Sequence, residues 1–307
     1  MTASGGLSRR ALLGAALLLP LAACADAHTT APSTPLTSEP TPTPTPTVIT
    51  AVPRLAELEA AHGARIGVAA LDTGTGARLL HRADERFPFC SMFKALAAAA
   101  VLDGRADDLA RVVPFGAADL VGRSPITRER LGAMTLAELC DAAVRFSDGT
   151  AGNLLLRELG GPAVLTAFAR ELGDDVFRMD RVEPLITEAL PGDERDTVSP
   201  AAFTGDLDRL LLGDAITPDA RAALTDLMTR NTTGDARIRA GVAAGWTVAD
   251  KTGTGSYGTA NDAAVLWPAD GGAPVVLVVM TTRSNRDDDP VDALLAEATT
   301  IALGALR

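Results

Sequence analysis

The chain has 307 residues, 47% of them hydrophobic, which is enough for a substantial core in one or two globular domains. Its formal net charge is −11, and a nucleic-acid-binding surface needs the opposite sign, so that class is set aside. Three histidines, His28, His62 and His81, with no His-Glu-x-x-His and no paired Cys-x-x-Cys, leave a metal site without support.

Residues 1–24 read as an export address. Ser8-Arg9-Arg10 precedes the apolar run Ala11–Ala23. That run is shorter than the roughly 20 residues of a spanning helix but suits a signal segment. The arginine pair resembles a twin-arginine signal. Leu21-Ala22-Ala23-Cys24 resembles a bacterial lipobox, whose cysteine is lipidated after cleavage. An ordinary cleaved signal with a chance cysteine is the alternative. Residues 25–50 are rich in Thr, Pro, Ser and Ala and contain TPTPTPT. Alternating prolines favour an extended tether, on the order of 80 Å long at ~3.1 Å per residue. The expected product is exported, either anchored at the cell surface by lipid or secreted.

Val52, Leu55, Leu58 and Ala61 fall at helical spacing. Arg65–Leu71 and Arg78–His81, joined through Thr-Gly-Thr-Gly, predict two strands and a turn. From about Phe87 to Asn231 the pattern is mostly helical. Trp246–Thr252, Ala260–Trp267 and Val275–Thr282 predict three further strands. Val291–Leu303 predicts a last helix with Val291, Leu294, Leu295, Ala298 and Ile301 on one stripe. Short turns between strands imply antiparallel neighbours. The simplest assembly is an α+β fold: a five-stranded antiparallel sheet from residues 51–86 and 232–307, covered by terminal helices. An all-helical domain, 87–231, is inserted between strands two and three. A cleft is expected where the two parts meet. His62 and His81 are read as surface residues. Cys90 and Cys140 are read as buried free thiols, since the sequence cannot set the distance a disulfide needs.

Of the 28 Lys and Arg residues only Lys94 and Lys251 are lysine. Lys94 belongs to Phe89-Cys-Ser-Met-Phe-Lys94. Positions three apart share a helix face, so the Ser91 hydroxyl and the amine can touch. An amine at a helix N-terminus beside Phe89 and Phe93 loses solvent and meets the positive dipole end, and both effects favour its neutral form. A neutral amine can take the serine proton; an arginine cannot. Lys251 opens Lys251-Thr252-Gly253-Thr254-Gly255 at the end of a predicted strand. Its charge, the hydroxyls and the close approach that glycine permits suit a substrate carboxylate beside an edge strand. A solvated lysine on a glycine-rich hairpin is the plainer reading. Thr135-Leu-Ala-Glu138 looks like a capping box, and the helix it starts ends at Ser147-Asp148-Gly149-Thr150, before a helix carrying Asn153. By itself that serine is a cap. Arg178–Asp196 is a long, charged, proline-containing segment, of a length that is often functional, and it holds Glu183-Pro184.

In this order the four elements resemble the class A serine β-lactamases, with their Ser-x-x-Lys, Ser-Asp-Asn and Lys-Thr-Gly set. The resemblance covers Val52 to the C-terminus, and CSMFK, RFSDGT and DKTGTG look like the actinobacterial members. It implies that Ser91 attacks the lactam carbonyl and that the Ser91 and Thr254 backbone N–H groups form the oxyanion hole. Lys94 would be general base or proton relay, Ser147 the donor to the departing nitrogen, and Glu183 the activator of the deacylating water. Lys251, Thr252, Gly253, Thr254 and Arg237 would hold the substrate carboxylate, with Gly149 and Asn153 in the same binding set. Ala260 stands where other members carry the arginine that Arg237 replaces. Arg181 and Asp196 match the ion pair that closes the long loop. No cofactor or metal is implied, and the acidic surface suggests a monomer.

Three departures stand out. Gly149 replaces the family asparagine. Thr187 replaces an asparagine that helps hold the deacylating water. The family disulfide would pair Cys140 with position 98, which is Ala98. The alternatives are a penicillin-binding DD-peptidase or transpeptidase, or a penicillin-sensing binder. Glu183 in a matching loop argues against the DD-peptidase or transpeptidase, because that carboxylate permits fast hydrolysis.

Overall fold

The computed structural model describes residues 47–50 and 52–306. The chain opens with β1 (Val48–Ile49), α1 (Pro53–His62), β2 (Ala64–Asp72), β3 (Arg78–His81) and β4 (Phe87–Pro88). Next come α2 (Phe93–Gly104), β5 (Val112–Phe115), β6 (Gly132–Thr135), α3 (Leu136–Arg145), α4 (Gly149–Leu159) and α5 (Pro162–Glu171). A long loop leads to β7 (Thr197–Val198), α6 (Pro200–Leu207), α7 (Pro218–Thr229) and the single turn α8 (Ile238–Gly241). β8 (Thr247–Gly255), β9 (Thr259–Trp267), β10 (Val275–Arg283) and α9 (Asp292–Ala305) complete it.

The main sheet runs β1-β3-β2-β10-β9-β8, so β8 is an edge. The five expected strands pair antiparallel, and β1 adds to β3 in parallel. β1 lies in the stretch read from sequence as tether. Two residues leave no periodic signal; they are held by backbone, with the Arg78 N–H donating to the Thr47 carbonyl at 2.8 Å. The export and lipobox motifs fall outside the described residues.

β10 shows why the strands read as continuous apolar runs. Its side chains alternate between two cores. Leu277 and Val279 pack with Leu55, Leu294, Leu295 and Ala298 under the terminal helices. Val276, Val278 and Met280 face Phe87, Phe203 and the helical insert. A sheet covered on both faces needs no polar face. The insert is helical apart from two small ribbons, β4–β7 and β5–β6, whose two to four residues are too few to show alternation. At its centre α2 is buried almost all round, its alanines letting neighbours approach closely. α3 begins with the expected capping box: Thr135 Oγ1 accepts from the Glu138 N–H, and Glu138 Oε2 accepts from the Thr135 N–H at 2.8 Å.

Two smaller readings separate. Cys90 and Cys140 are buried and free, as expected. His81 is not a surface residue: its side chain is 14% exposed and its Nε2 lies 3.6 Å from Glu59 Oε1 of α1, which packs on the neighbouring β2.

The stems of the long loop meet at two carboxyls. Both oxygens of Asp206 on α6, and Oδ2 of Asp174, are buried without a hydrogen-bond partner. Asp174 Oδ1 accepts the Val176 and Phe177 N–H groups at 2.6 and 2.8 Å. Burial first, then the Asp174 charge, holds the Asp206 carboxyl well above its ordinary 3.8, against the pull of Arg209 and Arg170. A raised carboxyl contributes stability below its unfolded pKa that is lost as pH rises through the folded one. Asp206→Asn is therefore predicted to gain Tm over the wild type as pH goes from about 5 to about 8. A Tm difference independent of pH contradicts this.

Candidate active site

Ser91 lies in a 3₁₀ turn, Cys90–Met92, that runs directly into α2. Lys94 occupies the first turn of that helix, on the same face, and its Nζ donates to Ser91 Oγ at 2.8 Å. It also donates to the Ser147 carbonyl at 2.9 Å and to Glu183 Oε1 at 2.7 Å. The side chain is fully buried. Its stem fits because Gly152 of α4 lacks a side chain: a Cβ there would sit 2.7 Å from Lys94 Cε. Burial pushes the amine below the ordinary lysine value, and the neighbouring Glu183 carboxylate only partly restores it.

Ser147 closes α3 with a left-handed backbone, φ 55°, and Cys90, just before Ser91, has φ 49°. Such conformations cost about 1–3 kcal/mol each and persist where the surroundings fix them. Asp148 fixes the first. It caps α4 by accepting the Ala151 N–H and binds the Ile126 and Thr127 N–H groups through Oδ2, all at 2.9 Å. Gly149 is tightly enclosed, since a Cβ there would fall 2.7 Å from Val121 Cγ2. The family asparagine is thus replaced by a glycine whose side-chain space Val121 has taken.

The long loop presents Glu183, which is buried and also lies 3.1 Å from Ser91 Oγ. Asn153 grips the Glu183 peptide from both sides, receiving its N–H at 3.0 Å and donating to its carbonyl at 2.9 Å. Its amide is therefore spent on the loop. Arg181 and Asp196 pair at 2.5 Å and close the loop, and Asp196 also accepts the Asp180 and Arg181 N–H groups. The Thr187 hydroxyl donates to the Pro184 carbonyl at 2.7 Å, which leaves it only an acceptor.

Lys251–Gly255 lies wholly within β8, further inside the strand than its sequence suggests. Lys251 is fully buried and donates to Ser147 Oγ at 3.0 Å. Burial, then the charge of Lys94, lowers its pKa well below the ordinary value. Thr252 shares a 2.6 Å hydroxyl contact with Thr233. Arg237, before α8, reaches Thr254 Oγ1 and the Gly253 and Asn261 carbonyls, and pairs with Asp292 at 2.8 Å. Ala260 lies opposite Thr254 in the ladder, buried.

Ser91, Ser147, Glu183, Thr252, Thr254 and Arg237 line one cleft of about 740 Å³. A groove of about 1020 Å³, beside α1 and the tail of the loop, holds none of the motif residues, and neither His62 nor His81 lines the cleft. Gly152, Thr233 and Asp292 carried no motif signal in the sequence. Thr233 at least stands beside Arg237 in Thr233-Gly-Asp-Ala-Arg237.

Residues 50–306 match the Beta-lactamase enzyme family. The chain is 49% identical over 304 residues to Beta-lactamase AST-1 of Nocardia asteroides, covering 97% of this chain and 96% of that one. It is 52% identical to the carbapenem-hydrolyzing beta-lactamase KPC of Klebsiella oxytoca, covering 82% and 87%. The crystal structure of a beta-lactamase from Desulfarculus baarsii superposes with a TM-score of 0.81 at 50% identity, covering 83% of this chain and 96% of that one. The chain belongs to the β-lactamase enzyme family. It is a class A serine β-lactamase, a hydrolase that opens the β-lactam amide of penicillin-type antibiotics through a serine acyl-enzyme and so confers resistance.

In this β-lactamase the two walls of the cleft touch through glycine. A Cβ on Gly253 would lie 2.4 Å from the Phe89 carbonyl oxygen, and one on Gly255 would lie 2.7 Å from Cys90 Sγ. A carbonyl on a helical turn cannot step aside. Gly253→Ala is predicted to destabilise the fold by about 1–3 kcal/mol and to lower kcat/KM by moving β8 off Ser91. Wild-type Tm and wild-type turnover in that variant refute it.

Proposed function

We propose that Ser91 is the nucleophile and that Lys94, in its neutral form, receives its proton. The observation carrying this is the fully buried amine 2.8 Å from the Ser91 hydroxyl, with its pKa depressed by burial. As the carbonyl is attacked, the developing oxyanion turns to the backbone N–H groups of Ser91 and Thr254. Ser147 protonates the departing ring nitrogen and is itself reprotonated with the proton that Lys94 took from Ser91. Lys251 donates to Ser147 Oγ, so the hydroxyl's own proton is free to point into the cleft. Lys251, Thr252, Thr254 and Arg237 hold the ring carboxylate from the β8 side. Glu183 then takes a proton from the water that cleaves the ester on Ser91 and returns it to the freed Ser91 Oγ, whose hydroxyl donates to Glu183 Oε1 at 3.1 Å in the resting site. Asn153 serves by positioning Glu183, and Thr187 accepts from that water rather than donating to it.

Glu183→Ala is predicted to trap penicillin as a mass-detectable adduct on Ser91, whereas Lys94→Arg forms none. Wild-type turnover in Glu183→Ala removes the deacylation role, and wild-type acylation in Lys94→Arg removes the proton-acceptor role.

The enzyme is further proposed to work as an exported monomer tethered by a lipid on Cys24. Support comes from the paired arginines, the lipobox-like Leu21-Ala22-Ala23-Cys24 and the proline-rich stretch that follows. Mass spectrometry of the mature N-terminus is expected to find Cys24 first and diacylated. Any other first residue rejects the anchor.

A further inference from the structure

The rim of the cleft carries a cation that the reaction as described does not use. Arg123 lines the cleft from the loop between β5 and β6. Its side chain is exposed and makes no hydrogen bond or ion pair among the described residues. Its backbone is firmly held. The Val121 N–H donates to Thr150 Oγ1 at 2.9 Å and the Gly149 N–H to the Arg123 carbonyl at 2.6 Å. Ser124 Oγ donates to the Val121 carbonyl, and Asp148 binds the next two N–H groups, Ile126 and Thr127. Only the guanidinium is left to move, and its charge is felt at the Lys94 amine.

The acidic residues lining the cleft are already engaged. Glu183 pairs with Lys94 at 2.7 Å and Asp292 with Arg237 at 2.8 Å. Arg123 therefore has no internal counter-ion. It also stands across the cleft from β8, on the side of Gly149, where no family amide projects. A guanidinium presents a planar fork matched to carboxylates and keeps its charge at every working pH.

We propose that Arg123 is a specificity-determining residue that engages a second anionic group, on the acyl side chain of the β-lactam, opposite the ring carboxylate. The placement rests on the reading above that β8 holds that ring carboxylate. One end of a dianionic substrate then meets Lys251 and Arg237, and the other meets Arg123, with the lactam carbonyl at Ser91 between them.

The test compares two penicillins with the same nucleus, one with a carboxylate on its acyl side chain and one with a neutral side chain. Arg123→Ala is expected to lower kcat/KM for the dianionic substrate by about tenfold, mostly through KM, and to change the other by less than about twofold. Arg123→Lys is expected to keep part of the preference. Added salt is expected to shrink the preference in the wild type, because an exposed charge pair is screened. Equal losses for both substrates mean a structural role and overturn the proposal, as does no change for either. Lys251→Ala reads the underlying assumption separately. A raised KM for both substrates supports the β8 carboxylate site, and an unchanged KM for the neutral-side-chain penicillin overturns the orientation and the placement of the second anion with it.

Discussion

A lysine amine without solvent holds this site together. Lys94 Nζ has three protein acceptors, Ser91 Oγ, the Ser147 carbonyl and Glu183 Oε1, and they come from three separate segments. A bare ammonium in such a place is expensive, so each contact is both a hydrogen bond and compensation for lost water. The same contacts fix the distances among nucleophile, hydroxyl and carboxylate. Much of the insert can be seen as a housing for this one group: the alanine-rich α2 that lets neighbours close in, the glycine at 152 that admits the stem, and the loop that brings Glu183.

The second lysine works under a similar constraint on the opposite wall. Lys251 is as deeply buried as Lys94, and each raises the difficulty of charging the other. The walls divide the labour accordingly. In the proposed mechanism the α2 side moves protons, and the β8 side offers hydroxyls and guanidinium to an anion. Ser147 links them, its carbonyl toward Lys94 and its hydroxyl toward Lys251. Under the proposed mechanism arginine could not serve at position 94, because a group that never gives up its proton cannot accept one.

The chemistry was legible because it restricts residue types. Ser91, Lys94, Ser147, Glu183 and Lys251 stood out as a set; Ser91, Ser147 and Glu183 line one cleft, and the two buried lysines bond to Ser91 and Ser147 from behind it. The five-stranded sheet and the end helices were legible from periodicity, with boundaries shifted by a few residues. What stayed hidden depended on three-dimensional proximity. Gly152 is an ordinary helical glycine until Lys94 lies against it. Asn153 reads as a substrate contact, and nothing in its sequence neighbourhood reveals that its amide also holds the Glu183 peptide. Asp292 opens the last helix and has no local reason to meet Arg237. His81 read as exposed because nothing near it in sequence reveals that Glu59 lies over it. β1 was invisible because its order comes from β3, not from its own two residues.

The two buried cysteines, Cys90 and Cys140, carry a consequence for where the folded part can mature. Burial pushes the Cys140 thiol up to about 12 and Cys90 higher still, so neither is a thiolate at neutral pH. No covalent cross-link joins α2 to α3; the contact is packing alone. The native arrangement is therefore indifferent to redox potential. Cys90 and Cys140 can reach it in a reducing compartment, with no thiol oxidase required.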